Sequence, residues 1–167
     1  MNKLQRVVPL LVVAIAAAGL LQASIIVPLS LEEMTDRAER IFVGTCTSTH
    51  SYWKERKIWT DVTFQVEHHL KGKAVAQVTF RQLGGSVREP AAVAMRVAGM
   101  AEFRAGESAL LFLERAHDSA ETLLGLSQGR VPLVRDQRSG GWRTPDGQPL
   151  ESLMERIEKR LGTNVRR

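Results

Sequence analysis

The chain is poor in the residues that usually announce a chemistry. Cys46 is the only cysteine in 167 residues, so no internal disulfide can form and no cysteine-rich metal cluster can be built. Aromatic residues make up only 5%, and Lys and Arg are scattered instead of gathered into a stripe. The formal net charge of +5 therefore gives at most a weak attraction to acidic surfaces, and a nucleic-acid partner is not expected. Internal repeats and low-complexity tracts are also missing.

What the chain does have is a long apolar opening. Residues 1–6, "MNKLQR", carry Lys3 and Arg6 without an acid, and residues 7–21, "VVPLLVVAIAAAGLL", are uncharged. A small residue, Ala23, follows in "QAS". That layout predicts a signal peptide over residues 1–23, cleavage near Ser24, and export to the periplasm or beyond. Apolar character continues to Leu31, so an uncleaved anchor is the alternative, since about 20 apolar residues cross a bilayer core. Membrane attachment is expected only in that case. Pro28, Ser30 and the Glu32/Glu33 pair make the end of the run a poor membrane helix. Loss of Lys3 and Arg6 leaves a mature chain of formal charge +3.

The exported part, residues 24–147 plus a terminal helix over 148–162, reads as mainly β. Ser30 with Glu33 forms a capping box, predicting a short helix over about 31–38. "RIFVGTCTST" (40–49) is β-branched and predicts a strand with Cys46 buried on it. "IWTDVTFQVEHHL" alternates: Ile58, Thr60, Val62, Phe64 and Val66 take one face, and Trp59, Asp61, Thr63, Gln65 and Glu67 the other. Residues 74–83 predict a third strand. Residues 84–107 predict a long irregular connection, and "SALLFLER" (108–115) a strand buried on both faces. "TLLGLSQGRVPLVRD" supplies one or two more strands, broken at Gly129. Leu150, Leu153, Met154, Ile157 and Leu161 recur at helical spacing, with Gly162 as the expected stop. Consecutive strands with helices only at the ends predict a five- to six-stranded antiparallel OB-like barrel, with a short N-terminal helix and a C-terminal amphipathic helix.

The order "SLEEMTDRAERIFVGTCTS", "VTFQVEHHLKGK", "VTFRQLGGSV", "FRAGESALLFL", "LLGLSQGRVPLV" resembles a set of small exported bacterial proteins over about residues 30–135. It is more distantly similar to netrin-like modules and to the inhibitory domain of tissue inhibitors of metalloproteinases. That resemblance implies a five-stranded OB-type barrel. It does not transfer the inhibitory chemistry, which needs a mature N-terminal cysteine held by disulfides, whereas the one cysteine here lies within a strand.

No constellation reads as catalytic. His68 and His69 are neighbours on a strand and point to opposite faces, with His68 expected inward. A zinc site would need His50, His117, Asp61 or Glu67 to converge with them. "RQLGGSV" lacks the helix and the Gly-Lys-Ser/Thr of a phosphate loop, and predicts a bulge or wide turn with close backbone approach. "GLSQG" spaces Ser127 as in a nucleophile elbow, but a turn between strands is the expected context. The residues thus assign no cofactor, no metal ligand and no catalytic group. Tyr52, Trp53 and Trp59 flank a charged hairpin and are the candidate contacts for a protein partner, together with the 84–107 connection. The expectation is an exported, non-enzymatic binding module. The alternatives are a small metal-dependent hydrolase using His68 or His69, and an envelope structural protein held by an uncleaved anchor.

Overall fold

Two strands of unusual length, paired as one hairpin, carry the architecture. The structure is a computed structural model describing residues 27–164. The expected signal peptide and its cleavage point lie outside the described residues. Among the described residues no helix is long and apolar enough to cross a membrane.

Strands β1 (Arg40–Lys54) and β2 (Lys57–Lys71) each run 15 residues, well beyond the usual strand length of about 5–6. They are joined by a two-residue turn, Glu55–Arg56, both at positive φ (51° and 63°). The polar and charged residues 50–57 thus extend the two strands and close them in a tight turn. β3 (Gln77–Leu83) pairs with β2, and β6 (Ser108–Arg115) pairs with β1. β7 (Glu121–Leu123) and β8 (Arg130–Arg135) pair with β6, and β9 (Trp142–Arg143) pairs with β8. All pairings are antiparallel. Before them stands α1 (Leu31–Arg37), and after them α2 (Leu150–Asn164).

The protein is mainly β, with antiparallel sheets and two terminal helices, but the sheet does not close into a barrel. Its strand order, β3-β2-β1-β6-β8-β9, leaves β3 without a ladder to β8 or β9. Three register shifts between β1 and β2 explain the geometry, because each bulge adds local twist and bends the long hairpin. The sheet curls around Phe42, Phe64, Phe80 and Leu111. Where a last ladder would close it, side chains fill the gap: Phe103 and Ala101 come from the connection and Leu123 from β7. Phe103 sits edge-on to Phe64 (5.6 Å between centroids) and to Phe80 (5.4 Å). Such aromatic pairs add about 0.5–1.5 kcal/mol to their burial.

The other face of the sheet's lower half is covered by the helices. Ile41, Val43, Leu110 and Phe112 meet Met34 of α1 and Leu150, Leu153 and Ile157 of α2. β6 thus has buried residues on both faces, as its continuous apolar run implies. The expected capping box forms, with Ser30 Oγ accepting from Glu33 N and a Glu33 carboxylate oxygen accepting from Ser30 N. The second helix runs past Gly162 to Asn164, so Gly162 does not stop it. Arg156–Glu32 and Arg160–Asp36 pairs tie the helices together. Both are exposed and weak beside the apolar contacts.

The 84–107 connection is more ordered than expected. It contains a two-stranded ribbon, β4 (Gly85–Val87) with β5 (Val93–Met95), set against the far end of the hairpin.

Candidate binding surface

The position of the candidate aromatics follows from one extra residue. Up to Cys46, even-numbered residues of β1 face the inside of the curl. Thr47 then has no partner, because Cys46 pairs with Phe64 while Ser48 pairs with Thr63. This bulge reverses the parity, so His50 and Tyr52 point outward, and Thr49, Ser51 and Trp53 point to the inner side. Tyr52 stands directly opposite Trp59, and His50 opposite Asp61. The next strand adds Arg81 opposite Asp61 and Leu83 opposite Trp59. Tyr52 and Trp59 therefore share a surface, and Trp53, 45% exposed, lies on the opposite face. The three sequence-predicted contacts are not one cluster.

The outer face is an aromatic and ionic ladder. His50 stacks on Tyr52 at 5.9 Å and 22°. Tyr52 Oη donates to Asp61 Oδ1 at 3.1 Å, and Arg81 Nε donates to the same oxygen at 3.3 Å. The Arg81 guanidinium lies 6.0 Å from both the Tyr52 and Trp59 ring centres and pairs also with Asp118 at 3.7 Å. Burial, the Asp61 hydrogen bond and the Asp61 charge all push the Tyr52 hydroxyl above its usual range. Burial opposes the charge on Arg81, but Asp61 and Tyr52 outweigh it and hold the guanidinium more firmly protonated. These groups fix one another's rotamers, so the ladder presents a preorganised surface at low entropic cost.

The inner side of the same half is different in character. Beyond Phe80 and Val62 the apolar lining gives way to Thr60, Ser51, Thr49 and Gln82. These floor a cleft of about 820 Å³ whose walls come from Gly84–Ser86 and residues 94–103. Gly84 and Gly85 have φ of 99° and 136°. A Cβ at Gly85 would run into the Thr60 and Ser51 hydroxyls, so the "GG" step is the close backbone approach its sequence suggested. Thr60 Oγ1 donates to Gly84 O at 2.6 Å, which makes Ser51 Oγ the donor in its 2.8 Å contact with Thr60 Oγ1.

The histidines stand elsewhere. Asp61 and His68 are separated by about 23 Å of strand. A bulge at Glu67 pairs His68 with Val43 and His69 with Phe42, and both imidazoles are exposed. The expectation that His68 points inward is thus corrected: the extra residue resets the alternation read from Phe64 and Val66. Glu67 accepts from Thr45 Oγ1 at 2.6 Å, and His117 lines a separate cleft of about 320 Å³ with Glu114 and Thr122. Among the described residues no group of three or more His, Cys, Asp or Glu is placed to hold a metal ion. Ser127 lies in an exposed turn between β7 and β8, with no helix behind it. Cys46 is buried, its thiol pushed up by desolvation and by the Glu107 charge.

Sequence reasoning passed over Arg81 and Gln82. The signal was present in "TFRQL", where the same alternation that buries Phe80 turns Arg81 outward beside Trp59 and carries Gln82 inward. No protein-family model, curated protein or solved structure matches the chain.

Proposed function

We propose that this chain is an exported, non-enzymatic binding module that engages a protein partner in the periplasm or outside the cell. The distal half of the β1–β2 hairpin makes the contact. The observation that carries this reading is the preorganised Tyr52–Trp59–Arg81–Asp61 face. It is a solvent-facing aromatic and ionic surface in a chain with few aromatics, set on a scaffold whose other half is buried on both faces. Tyr, Trp and Arg are the residues that most often anchor protein interfaces, and here Arg81 is already positioned by its neighbours. The adjoining 84–107 connection supplies the rim. Export is supported by the basic, then apolar, then small-residue order of residues 1–23. The five-strand curl β3-β2-β1-β6-β8 with a plugged seam is compatible with an OB-like scaffold.

Binding of the purified chain to detergent-solubilised proteins of its native envelope and periplasmic fractions tests the reading. A single partner retained by the native chain and lost with Trp59→Ala, at unchanged melting temperature, is expected. Equal retention by Trp59→Ala and Tyr52→Ala would remove the ladder from the function.

A further inference from the structure

The seam that keeps the sheet from closing is filled by a strap that no ladder holds. Residues 101–104 lie outside every strand, yet they alternate as a strand does, with Ala101 and Phe103 buried and Glu102 and Arg104 exposed. Side chains stand in for the missing ladder. Gln82 Nε2 donates to Ala101 O at 2.9 Å, and Arg130 Nη1 donates to Glu102 O at 2.8 Å. The same guanidinium lies 5.0 Å from the Phe103 ring centre and pairs with Glu107 at 2.9 Å. Glu107 in turn accepts from Arg104 N at 3.2 Å. The strap is thus pinned from β3 through Gln82 and from β8 through Arg130, the two strands that a closing ladder would join.

Both pins have the same flaw. Among the described residues, the buried side-chain polar atoms without a hydrogen-bond partner are Gln82 Oε1 and Arg130 Nε. Burial without a partner is costly, and more so on a charged group. That cost offsets part of what the strap gains by burying Ala101 and Phe103, and departure of the strap opens both pins to water. The turns at its two ends pass through Gly99 (φ 78°) and Gly106 (φ 89°), backbone that glycine adopts freely. Its C-terminal root is fixed, because Gly106 N donates to Cys46 O and Cys46 N to Glu107 O, each at 2.8 Å. No ladder of the sheet runs through residues 100–105, so the sheet keeps its own hydrogen bonds when they leave.

We infer that residues 100–105 are a releasable plug. The strap leaves the seam as a unit while the β3-β2-β1-β6-β8 sheet stays folded, and its release bares an apolar slot lined by Phe64, Phe80 and Leu123. The seam is thereby a two-state element, closed in the structure described here, and it does not depend on what the outer ladder binds.

The test is limited chymotrypsin digestion of the full native chain across low urea concentrations, with the cut sites identified by fragment mass. Phe103 is buried, so the enzyme can cut after it only once the ring has left the core, and the cutting rate follows the population of the open form. The expected result is cleavage after Phe103 at a rate that stays flat in low urea and is at least about tenfold above what global unfolding allows. The two fragments should co-elute and keep the β-sheet signal of the native chain. Arg130→Met gives up one unpartnered nitrogen but also two hydrogen bonds and the cation over Phe103, and should speed this cut about tenfold. A cut after Phe103 that rises with urea in step with global unfolding, or fragments that separate and lose the sheet, would overturn the inference. So would an unchanged rate in Arg130→Met, since the pins would then not govern release. The native-chain measurement needs no substitution and decides the matter if Arg130→Met fails to fold.

Discussion

The two ends of the β1–β2 hairpin are built on opposite plans. At the lower end, β1 and β6 bury both faces, one against the Phe42–Phe64–Phe80 cluster and one under α1 and α2. At the upper end, past the Thr47 bulge, β1, β2 and β3 show an aromatic and ionic face to solvent and a polar floor to a cleft. The lower end maximises burial, at about 1.5–3 kcal/mol per large apolar side chain. The upper end gives up that burial and keeps side chains in place by hydrogen bonds and ring contacts. A residue's effect should thus depend on which end it occupies: stability below, binding above.

The sharpest way to break this contrast is in the lower core. Phe64→Ala is expected to cost about 3–5 kcal/mol, read as a large drop in denaturation midpoint, because Phe64 is fully buried and touches Phe42, Phe80 and Phe103. Gly44→Ala should cost about 1–3 kcal/mol, since its Cβ would collide with the Gln65 carbonyl oxygen across the strand pair. At the upper end the sign reverses. Replacing Glu55–Arg56 by Asn-Gly should raise stability by about 1 kcal/mol, because both native residues are held at positive φ; unchanged thermal unfolding would show that the turn carries no strain. His68→Ala and His69→Ala should stay within about 0.5 kcal/mol of the native chain and leave binding intact.

The smallest effect concerns acid. Arg156 chiefly lowers Glu32, and the Ser30 backbone and hydroxyl lower Glu33. A carboxylate depressed on folding contributes stability that is complete above the usual glutamate range and lost as pH falls through its lowered value. A slight loosening of α1 below the normal glutamate titration is therefore expected, visible by amide exchange at its first turn. Flat exchange across that range would detach these contacts from the helix's stability.

Much of the lower end was legible because it depends on pattern. The Ser30–Glu33 box, the doubly apolar run at 108–115 and the Leu150–Leu153–Ile157 spacing each encode one face of one element. The upper end was read less well because it depends on bulges. One unpaired residue at Thr47 decides whether Tyr52 or Trp53 joins Trp59, and one at Glu67 decides where His68 points. Period-two alternation carries no mark of where a residue will be skipped. Barrel closure failed for a related reason: the five to six strands read from the chain are a seven-stranded open sheet and a two-stranded ribbon, and Phe103 filling the seam is a tertiary event within a stretch that reads as loop.

The most direct test of the account is a paired measurement on Trp59→Ala and Phe64→Ala, recording melting temperature and affinity for the retained envelope partner on the same preparations. The account predicts that Trp59→Ala loses binding about tenfold or more with its melting temperature nearly unchanged. Phe64→Ala should lose stability, yet bind like the native chain below its own transition. Trp59→Ala binding normally, or losing stability in step with binding, would contradict the division of the molecule into a buried scaffold and a preorganised contact surface.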